Sequence, residues 1–123
     1  MSLVNVLSPP PLSYVVENID LDINFTATTS YSVIYTYTAP CDGYLNLIVC
    51  PLYVYSKPVG SIIATSTSGE AWNTLDRHET NCYATSISGK KMNYGTQIYV
   101  LTKYETVGSG QNRCTITGQF IAI

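Results

Sequence analysis

Apolar and polar positions alternate with a period of two along most of this chain, the spacing that sends successive side chains to opposite faces of a strand. Tyr31, Val33, Tyr35 and Tyr37 alternate with Ser32, Ile34, Thr36 and Thr38, and aromatic or β-branched residues dominate both sets. The strand ends at Ala39-Pro40-Cys41-Asp42-Gly43, where a proline fixes φ and an Asp-Gly pair offers a positive φ, so a tight corner is predicted. A long apolar strand follows over 44–57. Leu45, Leu47, Val49, Tyr53 and Tyr55 oppose Tyr44, Asn46, Ile48, Cys50, Leu52 and Val54, so both faces are largely apolar. A two-sheet sandwich leaves one face of each strand in water, so a strand greasy on both faces calls for a further layer, and a neighbouring subunit would supply it. Pro51 lacks the N–H of a ladder bond and predicts a bulge or break.

The remaining segments follow the same grammar. Residues 1–13, with Ser8-Pro9-Pro10-Pro11, read as an extended lead-in of polyproline type that suits a tether, and residues 14–123 read as one domain. Tyr14-Val15-Val16, an acidic turn at 17–20, and Leu21 to Phe25 form a first strand region buried on one side. Pro58-Val59-Gly60 predicts a turn, 61–67 a strand, and Ser68-Gly69 another turn. The stretch 70–81 is expected to be a short helix or an ordered loop. Strands return over 82–87 and 96–104, with a turn at 88–91 between them, and Val107 to Asn112 predicts a loop before the last strand.

About eight to ten short strands with turn signals every 8 to 12 residues, and no long helix, predict an all-β antiparallel sandwich or barrel, with a jelly roll fitting the count. The chain's 123 residues suffice for one core. Charged residues make up only 11% of it and tyrosines number eleven, against about 25% charge in ordinary soluble domains. Association that hides part of so uncharged and aromatic a surface is therefore expected. The net charge of −2 gives no basic footprint for a phosphate backbone, which disfavours nucleic acid as a partner. No apolar run of about 18 residues predicts a membrane span, and no signal-peptide pattern precedes the domain.

Three stretches carry a resemblance: Thr38-Ala39-Pro40 and Asp42-Gly43-Tyr44-Leu45 around one variable residue, Lys90 to Val100 (KKMNYGTQIYV), and the terminal strand Cys114 to Ile123 (CTITGQFIAI). Over residues 28–123 the chain resembles trimeric jelly-roll domains of the C1q/TNF-like kind found at the tips of phage fibres and on other virion appendages. The resemblance implies a homotrimeric, non-enzymatic head or decoration domain in a virion, carried by a fibre shaft or capsid and touching a host cell-surface glycan. A monomeric or dimeric lectin-like module, or a secreted relative, is the alternative.

Catalytic signatures are sparse. No G-x-S-x-G, phosphate-cradling loop or EF-hand occurs, and the single histidine, His78, lies between Arg77 and Glu79. Loop carboxylates Glu70, Asp76 and Glu79 are read as solvated rather than as a glycosidase pair. Four cysteines, Cys41, Cys50, Cys82 and Cys114, are spaced 9, 32 and 32 apart, which does not suit a metal, and no cofactor is expected. They permit two disulfides in three pairings, with buried reduced thiols the favoured alternative. Trp72 and Tyr83 are candidates to stack on a sugar, with Asn73, Asp76 and Arg77 bonding its hydroxyls; as a loop anchor Trp72 would simply pack on the core. Tyr31, Tyr35, Tyr37, Tyr53 and Tyr55 are assigned to the core and the subunit interface.

Overall fold

A computed structural model describes residues 14–67, 73–79, 84–106 and 110–123. Its strands are β1 (Tyr14–Thr26), β2 (Ser32–Thr38), β3 (Gly43–Pro51), β4 (Pro58–Ala64), β5 (Thr74–His78), β6 (Thr85–Met92), β7 (Gln97–Tyr104) and β8 (Gln111–Ala122). They form two four-stranded sheets, ordered β1-β8-β3-β6 and β2-β7-β4-β5, with every ladder antiparallel. One regularity generates the arrangement: β1 pairs β8, β2 pairs β7, β3 pairs β6 and β4 pairs β5. The chain is thus one long hairpin doubled back between β4 and β5. Its halves close into sheets through two further ladders, β3 with β8 and β4 with β7.

The core lies between the sheets. Leu45, Leu47 and Val49 of β3 and Cys114, Ile116 and Phe120 of β8 meet Ile63 of β4 and Ile98 and Val100 of β7, all buried. Full burial of each such aliphatic or aromatic side chain is worth about 1.5–3 kcal/mol. Tyr37 closes the β1/β2 side. Its ring packs 5.7 Å from that of Phe120, and its hydroxyl donates to Glu17 Oε1 at 2.7 Å. Burial first, and then the Glu17 carboxylate, push that hydroxyl's pKa well above the ordinary tyrosine value. Gly118 sits where β8 crosses β3, and an added Cβ there would run into the Asn46 carbonyl.

Several sequence-based expectations are corrected. Residues 74–78, within the stretch expected as helix or loop, form strand β5, because pairing Ile62 with Arg77 and Ile63 with Asp76 completes the second sheet. The expected turns at 17–20 and 88–91 lie inside β1 and β6; a bulge between Val15 and Glu17 absorbs the irregularity in the first. In the second, Gly89 takes φ +65°, beside a register shift between Leu45 and Leu47 of the partner strand. β3 stops at Pro51, so Tyr53 and Tyr55 lie outside any strand and are 71% and 59% exposed. A bulge between Val33 and Tyr35 breaks the tyrosine alternation. Tyr35 and Tyr37 consequently face the core while Tyr31 packs on a separate cluster outside it. Tyr37, at 4% exposure, belongs to the chain's own core rather than to a subunit interface.

One end of the interior is polar. Ser61 and Thr102 are cross-strand partners on the inner side of the second sheet, and neither hydroxyl has a hydrogen-bond partner among the described residues. Asn112 is better used, since its Oδ1 accepts from the backbone N–H groups of Tyr55 and Ser56 at 3.2 and 3.1 Å. A buried group without a partner costs desolvation, whereas a buried acceptor serving two donors protects both. Thr102→Val should therefore leave stability unchanged or raise it by up to about 1 kcal/mol, while Asn112→Leu should lower it by about 1–3 kcal/mol. Urea unfolding measures both, and the reverse ranking would contradict this account.

Candidate functional site

Of the residues singled out for sugar binding, the three that are described, Asn73, Asp76 and Arg77, do not converge. Trp72 and Tyr83 lie outside the described residues, as do Glu70 and Cys82. Asn73 precedes β5 and accepts the Thr65 backbone N–H at 2.9 Å through its carbonyl. Asp76 and Arg77 are successive strand residues and so take opposite faces. Asp76 Oδ2 accepts the Ser86 backbone N–H at 2.8 Å, tying β5 to β6 across the sandwich edge, and lies 3.4 Å from His78 Nε2. Arg77 faces the outside of the second sheet.

There it joins a cluster centred on Tyr31. The Arg77 guanidinium lies 5.5 Å and the Lys103 ammonium 5.8 Å from the Tyr31 ring centre, within range of cation–π attraction. The Tyr31 hydroxyl donates to Glu79 Oε1 at 3.1 Å, and Arg77 Nε donates to the same oxygen at 2.9 Å. Tyr31 lies over Gly60, where a Cβ would strike its ring. Ile62, Ala64 and Leu101 are buried beside it on what is formally an outer sheet face, with Tyr99 packed against them. Glu79 pairs with Arg77 while Lys103 rests on the Tyr31 ring, and the cluster caps that face.

A more open arrangement lies at the opposite end of β7. A cleft of about 460 Å³ runs between the end of β6 (Lys90–Asn93) and the turn leading into β7 (Gly95–Tyr99), with Thr65 on its rim. Its turn is held rigidly by the Ala39–Gly43 corner: Ala39 N donates to Thr96 O and Gly95 N to Ala39 O, both at 2.9 Å. The Tyr94 backbone N–H donates to Asp42 Oδ1 at 2.8 Å. Gly95 takes φ +79°, which this tight turn requires. Gln97 is oriented at both ends of its amide, donating to Thr38 Oγ1 at 3.1 Å and accepting from the Tyr99 hydroxyl at 2.7 Å. Among the described residues the cleft's lining includes Lys90 and Lys91, successive β6 residues that take opposite faces, and no acid. Sequence reading did single out Lys90 to Val100, as a turn and strand; that its side chains wall a cavity depends on the distant corner at 39–43.

Cys41 and Cys50 are free thiols. Cys41 precedes β3 and Cys50 lies near its end, too far apart along an extended strand to bond each other. No group of three metal-binding side chains occurs among the described residues, and no helix among them is long and apolar enough to cross a membrane. Comparison with protein-family models, curated proteins and solved structures finds no match for this chain.

The Tyr31 cluster makes a pH prediction. Hydrogen bonds from Arg77 and then Tyr31 hold the Glu79 carboxyl below its ordinary pKa. A depressed carboxylate contributes stability above its ordinary pKa and loses it as pH falls through the lowered value; here the contribution is small, because the pair is solvent-exposed. NMR titration should find Glu79 titrating below the usual glutamate range, and Arg77→Gln should return it toward that range. An unchanged Glu79 in the variant would dissolve the proposed coupling.

Proposed function

We propose that this chain is an assembly module: a jelly-roll domain that forms a homotrimer and serves as the head or decoration domain of a virion appendage. The observation that carries this reading is an exposed apolar row across the first sheet. Val15 of β1 stands opposite Ile121 of β8, which stands opposite Tyr44 of β3. Ile123, two residues beyond Ile121, extends the row at 54% exposure, and Val15 itself is 45% exposed. Contiguous exposed apolar surface on a chain this poor in charge favours burial against another subunit.

The strand pairing supports the jelly-roll part of the reading. An eight-stranded double-sheet jelly roll needs a long hairpin wrapped on itself, and each strand here pairs with its counterpart in such a hairpin. The stoichiometry of three and the virion setting rest on the resemblance of the corner, the lysine turn and the last strand to C1q/TNF-like domains. Residues 1–13 would serve as the tether to a fibre shaft or capsid carrier. The exposed Tyr53 and Tyr55 are available for contacts with a neighbouring subunit or a host surface glycan.

Light scattering coupled to size exclusion at micromolar concentration should give three times the 13.5 kDa chain mass. Val15→Asp should shift the species to monomer, since an unpaired charge in an interface costs several kcal/mol, while circular dichroism stays that of a folded β protein. A monomeric wild-type chain would overturn the proposal.

A further inference from the structure

The two sheets end in four edge strands, β1, β6, β2 and β5, and three of them are protected. β2 and β5 are short, at seven and five residues. β6 is capped where the Ser86 N–H donates to Asp76 Oδ2. β1 differs: at 13 residues it is the longest strand among the described residues, and its backbone pairs along one side only, with β8. The Tyr37 hydroxyl ties Glu17, near the start of β1, to the second sheet. From Asn18 to Thr26 no hydrogen bond among the described residues reaches the outer backbone edge. A row of unpaired N–H and C=O groups is a template for an extended peptide.

The side chains of β1 define that peptide. Register with β8 turns Leu21 and Ile23 inward, beside Ile116 and Cys114, and Asp20 and Asp22 outward, beside Thr117 and Thr115. Ile116 and Cys114 are fully buried, yet Leu21 is 38% exposed and Ile23 and Phe25 are only partly buried, because β1 ends its sheet. A complementary strand therefore carries apolar residues inward and no acid outward. β1 of a second copy fails, since it would bring Glu17, Asp20 and Asp22 against their like. Leu3-Val4-Asn5-Val6-Leu7, outside the described residues, meets both conditions. Residues 1–13 carry no charged side chain, and Asn5 set beside Asp22 puts Val4 and Val6 beside Leu21 and Ile23. Pro9-Pro10-Pro11, a stiff rod of roughly 9 Å in the polyproline geometry, opposes the tight reversal that would fold this segment onto its own β1, and so directs it to a neighbour's.

We propose that Leu3 to Leu7 of one copy adds as a further strand to the β1 edge of the next. The inference rests on the homotrimer proposed above and supplies a contact for it: donor segment and acceptor edge are different surfaces, a heterologous pairing that can close into a ring.

Light scattering over a dilution series of the full chain reads the assembly. NMR on a mixture of chains, half with labelled Val methyls and half with labelled Leu and Ile methyls, reads the contact. The wild type should show contacts between chains from Val4 and Val6 to Leu21 and Ile23. Val4→Asp combined with Val6→Asp should raise the concentration at which the trimer half-dissociates roughly tenfold or more, since it sets carboxylates against the apolar side of the edge. Ser8→Asp, which adds charge outside the segment, should leave that concentration unchanged, and circular dichroism checks that each variant is folded. A wild-type trimer lacking those contacts, contacts confined to one chain, or a double variant that dissociates no sooner would overturn the inference while leaving the homotrimer standing. A monomeric wild type would overturn both.

Discussion

The structure depends on the placement of its last strand. β8 is inserted between β1 and β3, so Tyr14 lies beside Ala122 and Pro51 beside Cys114. It supplies Cys114, Ile116 and Phe120 to the core and carries the outward Ile121 that links Val15 to Tyr44. The first sheet therefore cannot form until nearly the whole chain is available. Such non-local pairing delays the reward for closing long loops and makes folding slow relative to helical proteins. Close approach along this strand explains the need for glycine at position 118, where β3 leaves no room for a side chain.

A second consequence is convergence at one end of the sandwich. The Ala39–Gly43 corner, the lysine turn and the chain's final residues meet around Asp42. Its carboxylate accepts from Tyr94 N at 2.8 Å, its carbonyl accepts from Ile123 N at 3.4 Å, and the next residue, Gly43, is paired with both Met92 and Ala122. The cleft and the exposed apolar row both border this junction.

The fold class was legible because strand patterning is strong where strands are central: β8 alternates clearly, while β3 and β7 carry apolar residues on both faces. Edge strands were harder. β6 contains Ser-Gly-Lys-Lys and reads as a turn, since an outer strand exposed on several sides needs few apolar residues. β5 follows the same logic: its polar sequence becomes a strand only because β4 offers a free edge. Bulges defeated the alternation count, so Tyr31, just before β2, packs outside while Tyr35 and Tyr37 of β2, which share its face on paper, turn to the core. The cleft was invisible in sequence order, because its rigidity comes from residues some fifty positions away, Asp42 to Tyr94 being the clearest pair.

Native-state amide hydrogen exchange tests the central claim most directly. If β8 is locked between β1 and β3, amides of Cys114, Ile116 and Thr117 and those of Leu47 to Val49 exchange only through global unfolding, while the outer strands β5 and β6 open earlier. Exchange of β8 amides at rates equal to or faster than those of β5 would contradict the strand order on which the core, the apolar row and the Asp42 junction all rest.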